Sequence, residues 1–193
     1  MPIIDSENKE INFKIVYYGP ALSGKTTSIQ QLNHLVDTKK KSKVKKSTEA
    51  ERTLFFDFLP LTSSEIKGFK PHFHIYTVPG QELYEHSRRL LLKGVDGIIF
   101  VADSQIDKIQ ENLKSFEELT NLLKNLGYGP HDIPLVIQYN KRDLPNAASL
   151  AELQKILNTH HVPDFEASAI KGEGVLNAFQ ACLRQVLGSL KSL

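Results

Sequence analysis

Cysteine is almost absent. Cys182 stands alone among 193 residues, so the chain can close no internal disulfide and suits a reducing compartment. Long hydrophobic runs are missing as well. The longest purely apolar stretch, Ile98 to Ala102, falls far short of the ~20 residues that a membrane-spanning helix needs, and no basic-then-apolar leader opens the sequence. The C-terminal Ser189-Leu190-Lys191-Ser192-Leu193 offers no cysteine for prenylation. Nor is there an excess of one charge: 24 basic and 22 acidic residues leave a net +2, too little to argue for nucleic acid as a partner. Together these absences predict a cytoplasmic protein with no membrane anchor. The length predicts a single domain over residues 1–193, large enough for a well-buried core.

What is present is organised around Gly19-Pro20-Ala21-Leu22-Ser23-Gly24-Lys25-Thr26, which fits the phosphate-binding pattern G-x-x-x-x-G-K-[ST] at every specified position. Ile11 to Tyr18 before it reads as a buried strand. Thr27 to Leu35 after it reads as a helix, with Ile29, Leu32 and Leu35 at helical spacing. In that context successive backbone N–H groups at a helix N-terminus converge on an anion. The residues expected at the phosphates are Gly19, Ala21, Leu22, Ser23, Gly24, Lys25, Thr26 and Thr27. Lys25 would place its ammonium between the β- and γ-phosphates, and the Thr26 hydroxyl would bind Mg²⁺.

Further along, Met1–Glu10 reads as an irregular lead-in. Lys39 to Lys46 holds six lysines and no apolar periodicity, a solvated loop or an electropositive rim that steers acidic partners. Leu54–Leu61 reads as a strand bounded by proline, and Lys70–Val78 as a second strand joined to it antiparallel across Gly68. His72 and His74 share a face, but no further ligand follows at metal-binding spacing, so an exposed polar face is expected. A helix from Leu83 to Gly94, buried strands at Val95–Ala102 and Pro134–Tyr139, and a long helix from Asp107 to Leu126 come next. A helix at Ser149–Leu157, a short strand at Val162–Ala167 and a closing helix at Gly174–Leu190 complete the chain, with Cys182 on the inward face. Strands alternating with helices predict a three-layer α/β fold. Its sheet is mostly parallel and six-stranded with one antiparallel edge strand, and ligands gather at the carboxyl ends of the strands.

Asn140-Lys141-Arg142-Asp143 leaves such an end. A carboxylate at Asp143 can accept two parallel hydrogen bonds from guanine N1–H and its exocyclic amine, a pair that adenine cannot offer. The sequence here resembles the small Ras-like GTPases, P-loop NTPases whose base loop is Asn-Lys-x-Asp. The resemblance implies that the Lys141 stem lies along the base and that the Asn140 amide ties this loop to the phosphate loop. Glu166-Ala167-Ser168-Ala169 resembles the family's Glu-x-Ser-Ala loop, in which backbone N–H groups at Ser168 and Ala169 meet the guanine carbonyl. GTP, GDP and Mg²⁺ are the implied ligands.

The same resemblance assigns Gly80 to sense the γ-phosphate and Gln81 to orient the attacking water. Thr77 stands where the family usually has an aspartate, which removes an anchor for the Mg²⁺ waters. A threonine that reaches Mg²⁺ in the triphosphate state is expected at Thr53, with Thr48 second, and Arg52 beside it would neutralise charge on the transferred phosphoryl. Tyr17-Tyr18-Gly19-Pro20, Glu51 to Leu61, Thr77 to Gln81 and Lys93 to Gly97 together resemble the MglA group of bacterial Ras-like GTPases, which act in cell polarity and motility. That likeness implies a switch recruited to a cell pole and monomeric when alone. It also implies a roadblock-type homodimeric activator (MglB-like), polarity effectors (RomR-like), and a strand near Phe55–Leu61 that slides when GTP binds. Ala21 departs from the group, which has glycine there. Its methyl would crowd the γ-phosphate and Gln81, so slow hydrolysis is expected. The alternatives are a GTP-bound scaffold with negligible turnover and a P-loop phosphotransferase, which would have no use for Asn140, Lys141 and Asp143.

Overall fold

The computed structural model describes residues 2–37, 58–62, 68–78, 85–129 and 131–189. Within them, strands β1 (Ile3–Asp5), β2 (Glu10–Tyr18), β3 (Phe58–Thr62), β4 (Lys70–Thr77), β5 (Gly97–Asp103), β6 (Leu135–Asn140) and β7 (Asp164–Glu166) form one sheet. Its order is β3-β4-β2-β5-β6-β7, with β1 attached to β2 off that path. The helices are α1 (Lys25–Asp37), α2 (Glu85–Leu92), α3 (Ile109–Asn125), α4 (Leu150–Leu157) and α5 (Val175–Gly188).

The six-strand path is the one expected from sequence: parallel throughout except for β3, which runs antiparallel to β4 at the edge. Two details correct the expectation. The lead-in is not irregular, because Ile3–Asp5 folds back on Glu10–Asn12 as a short antiparallel hairpin. Asp5 closes its turn by accepting from the Glu7 and Asn8 N–H groups. Pro60 lies inside β3 and does not bound it, opposite His74. An edge strand tolerates this, since the missing N–H can belong to the side with no neighbour. Positions 54–57 lie outside the described residues.

β5 is buried at all seven positions, as a strand covered on both faces must be. One face packs Phe13, Ile15, Tyr17, Ile99 and Val101 against Ile29 and Leu32 of α1 and Ala178, Phe179 and Cys182 of α5. The other packs Val16, Tyr18, Ile98 and Phe100 against Leu91 and Leu92 of α2, Leu119 and Leu122 of α3 and Leu153 of α4. Cys182 is fully buried, and burial pushes its thiol up to about 12, so it behaves as a core side chain. The His72–His74 face is half-buried and not open: His72 pairs with Glu10 at 3.3 Å and His74 with Asn12 at 2.8 Å. No cluster of three metal-ligating side chains occurs among the described residues. No helix among them is long and apolar enough to cross a membrane.

This topology opens a crevice at β2. The chain leaves β2 towards α1 on one face, whereas β5, beside it, leads on to α3 on the other. Loops that part at the carboxyl ends of neighbouring strands leave room for a ligand between them.

Candidate nucleotide site

The loop from Gly19 to Gly24 joins β2 to α1. Its geometry fits an anion. The main-chain N–H groups of Gly24, Lys25, Thr26 and Thr27 make no hydrogen bond to a described residue, whereas the next, Ser28, already closes the helix on the Gly24 carbonyl at 2.9 Å. Leu22 takes a left-handed φ of 60° and is 89% exposed, an arrangement a leucine adopts only where the surrounding loop dictates it. The Ser23 hydroxyl is buried with no partner among the described residues. Lys25 is 7% exposed and folds its ammonium onto the loop's own Gly19 and Pro20 carbonyls, at 2.9 and 2.6 Å. Burial, and then the charge of Arg88, hold its pKa down at about 8. A buried cation whose acceptors among the described residues are main-chain carbonyls is primed for an anion.

Asn140, at the end of β6 and 2% exposed, is the joint between loops. Its amide N–H donates to the Ser23 carbonyl at 2.7 Å, and its amide oxygen accepts from the Ala169 N–H at 2.8 Å. One side chain thus fastens the phosphate loop to the two loops expected at the base. The Ser168 hydroxyl donates to Asp143 at 2.7 Å and holds its carboxyl below the usual range, so this acceptor is ionised at neutral pH. Lys141, with a left-handed φ of 65°, reaches the Asp103 carboxylate at 2.6 Å. The expected residues Gly19, Ser23, Gly24, Lys25, Asn140, Lys141, Asp143, Ser168 and Ala169 therefore share one connected set of loops. Ala21, Leu22, Thr26 and Thr27 line the rim of the same loop and the start of α1. Thr48, Arg52, Thr53, Gly80 and Gln81 lie outside the described residues, as does Lys39–Lys46.

Sequence reading did not single out Asp103 or Asn112. Asp103 is 2% exposed and ends β5. Asn112 of α3 holds it in a reciprocal pair, accepting from the Asp103 N–H at 2.9 Å and donating to its carbonyl at 2.7 Å. The carboxylate of the residue so fixed holds the Lys141 ammonium at 2.6 Å. A charged residue closing an otherwise apolar strand was the available signal.

The donor set fits a nucleotide: free N–H groups and a cation for phosphates, an ionised acceptor and N–H groups for a base. Among the described residues, the Thr26 hydroxyl is the protein oxygen that would be offered to Mg²⁺, a hard cation that takes oxygen ligands.

Comparison with known proteins agrees. Residues 3–186 match the model of the ADP-ribosylation factor family. The chain is 52% identical over 192 residues to the mutual gliding-motility protein MglA of Myxococcus xanthus (strain DK1622), covering 99% of this chain and 98% of that one. It is 30% identical to human ADP-ribosylation factor-like protein 4C, with 93% and 89% covered. It is also 30% identical to zebrafish (Danio rerio) ADP-ribosylation factor-like protein 6, with 88% and 85% covered. With its phosphate loop, base loops and sheet order in agreement with that match, the chain belongs to the ADP-ribosylation factor family of small GTPases, which bind guanine nucleotide with Mg²⁺ and hydrolyse GTP.

Proposed function

We propose that this GTPase is a nucleotide-dependent switch for cell polarity and gliding-type motility. The Asn140 junction is the observation that carries the guanine site, because it joins phosphate and base loops through one buried amide. The similarity to a gliding-motility protein carries the process. Lys25 neutralises the β- and γ-phosphates, and the freed helix N–H groups hold their oxygens. Asp143 reads the guanine edge, Lys141 covers its face, and Ser168 and Ala169 meet its carbonyl. Mg²⁺, when bound, withdraws charge from the β,γ-bridge. Thr26 and Thr53 would hold the ion. Gln81 orients the water, Arg52 neutralises charge developing in the transition state, and Gly80 senses the γ-phosphate. The partners that fit this reading are a roadblock-type homodimeric activator and polarity effectors, met by a cytoplasmic protein recruited to a pole.

Titration with GDP and ADP tests the site: GDP is expected to bind at least ~10³-fold tighter, because adenine presents no N1–H and no exocyclic donor to the ionised Asp143 carboxylate and forfeits both hydrogen bonds. Equal affinities would remove the guanine reading. Single-turnover hydrolysis is expected to slow by ~10²-fold or more in Arg52→Ala and Gln81→Leu, and to quicken in Ala21→Gly. An unchanged rate in the last would remove the role given to that methyl.

Lys25 makes binding pH-dependent. Its folded pKa of about 8 lies below the ordinary 10.5. Between those values the unfolded chain binds more protons, so the nucleotide-free fold gains stability as pH rises through that window. Phosphate favours the ammonium and reverses the sign for the complex. GDP affinity should therefore be flat below pH ~8 and fall above it, approaching tenfold per pH unit. Lys25→Arg, which keeps its charge, should lose that slope. Titrations across pH 7 to 9.5, roughly the span that brackets this pKa, check both.

A further inference from the structure

Arg142 occupies the variable position of Asn140-Lys141-Arg142-Asp143, where the pattern specifies nothing, yet it makes more contacts to neighbouring loops than either residue beside it. Its main-chain N–H donates to the Ala167 carbonyl at 3.1 Å. Its Nε donates to the Glu166 carboxylate at 2.8 Å, and its Nη1 to the Ala148 carbonyl at 2.6 Å. Ala148 is itself buried, and its N–H donates to the Ser104 carbonyl at 2.8 Å; the Ser104 N–H in turn donates to the Asn140 carbonyl at 3.0 Å. The hydrogen bonds close a ring: Asn140, Ser104, Ala148, Arg142. From that ring the guanidinium extends to Glu166, at the end of β7. The Arg142 side chain thus ties the end of β7 to the Ala148 main chain, which in turn joins the ends of β5 and β6 through Ser104.

The guanidinium suits this task because its planar fork addresses two acceptors in different directions at once, which an ammonium on a flexible stem cannot do. Glu166 is half exposed, so the ion pair alone would be weak. The Ala148 carbonyl and the main-chain bond to Ala167 supply the rest of the hold. What the clamp sets is the spacing between Asp143 and Ser168, whose 2.7 Å hydrogen bond spans the two loops immediately beyond it.

We propose that Arg142 is a positioning residue for guanine recognition, holding the two base loops at the separation that keeps nucleotide bound and lets Asp143 read the exocyclic amine. It does not touch the base; it acts through Asp143 and Ser168. The proposal rests on the guanine reading above and adds a determinant of nucleotide residence time. A partner that drew Glu166 away from Arg142 would speed exchange at this same ring.

The test is release of fluorescent GDP and IDP from full-length wild type, Arg142→Met, Arg142→Lys and Glu166→Gln, alongside melting temperatures. Inosine lacks the exocyclic amine and forgoes one bond to Asp143. GDP release is expected to be roughly tenfold faster in Arg142→Met, less so in Arg142→Lys and Glu166→Gln, each of which keeps one of the contacts. The ratio of IDP to GDP release rates is expected to narrow in Arg142→Met, because a loosened loop no longer aims the carboxylate. Hydrolysis of GTP already bound should stay within about twofold, since Arg142 bonds Glu166, Ala167 and Ala148 and none of the phosphate-loop residues. Unchanged GDP release would overturn the proposal. So would equal acceleration of GDP and IDP alongside a lowered melting temperature, the mark of a purely structural bond. A wild type that holds ADP as long as GDP would instead remove the guanine reading, and the clamp with it.

Discussion

Gly24→Ala is expected to abolish measurable guanine-nucleotide binding and to lower the midpoint of thermal unfolding by roughly 10 °C. A methyl on Gly24 would stand 2.1 Å from the Asn140 amide nitrogen, and the backbone there has a φ of +101°, where L residues are strained. The strain costs about 1–3 kcal/mol. The collision costs more than a side-chain shift, because Asn140 is buried and engaged at both ends, with the Ser23 carbonyl and the Ala169 N–H. Pushing that amide aside leaves both groups unpaired, at about 1–3 kcal/mol each. It also releases the phosphate loop from the base loops, so that no single conformation presents both to one ligand. Gly68→Ala separates the two causes: its φ is +81°, but no atom of the described residues lies within 4 Å of the added carbon. That variant should show the strain alone and bind GDP as wild type does. Circular dichroism melts and GDP titrations check both. A Gly24→Ala protein that binds GDP within tenfold of wild type would mean that Asn140 is not the joint between the loops.

The reach of sequence reading is clear from which residues it found. Gly19, Gly24, Lys25 and Thr26 were legible because the phosphate loop is one continuous turn, and its chemistry demands those residue types at that spacing. Asn140, Asp143 and Ser168 were legible once each was seen to follow a buried strand, since sheet topology places such ends together. Asn112 was not. It shares α3 with Ile109, Leu113, Phe116 and Leu123, and a polar residue beside an apolar stripe reads as solvent-facing until a tertiary partner explains it. Its partner, Asp103, is nine residues away in sequence and on another element. Arg142 failed for the opposite reason: it sat inside a motif whose pattern leaves that position blank. The β1 hairpin escaped because three residues cannot display a period, and its pairing is set by the Asp5 turn and the β2 edge.

Asp143→Asn is expected to lower GDP affinity by ~10³-fold or more and to create binding of xanthosine diphosphate. Guanine presents two donors, N1–H and the exocyclic amine, to a carboxylate that offers two acceptors. In this structure one oxygen, Oδ1, also accepts from the Ser168 hydroxyl at 2.7 Å, which orients the carboxylate without exhausting its lone pairs. An amide in its place keeps one acceptor and turns the other atom into a donor. Against guanine that donor meets the exocyclic N–H, so a hydrogen bond becomes a repulsion and a polar group is left unpaired. Xanthine carries a carbonyl where guanine carries the amine, so the same donor finds an acceptor. Ser168 tolerates the change, because its hydroxyl can accept from the amide as readily as it donated to the carboxylate. The folded state should therefore be kept while specificity is exchanged, and a melting curve within a few degrees of wild type is expected. Titrating both diphosphates against both proteins gives four affinities, whose crossed pattern identifies Asp143 as the reader of the base. If Asp143→Asn instead retained GDP within tenfold and ignored xanthosine diphosphate, the discriminating contact would have to lie with the main chain of Ser168 and Ala169, and guanine selectivity would have to rest on the carbonyl alone.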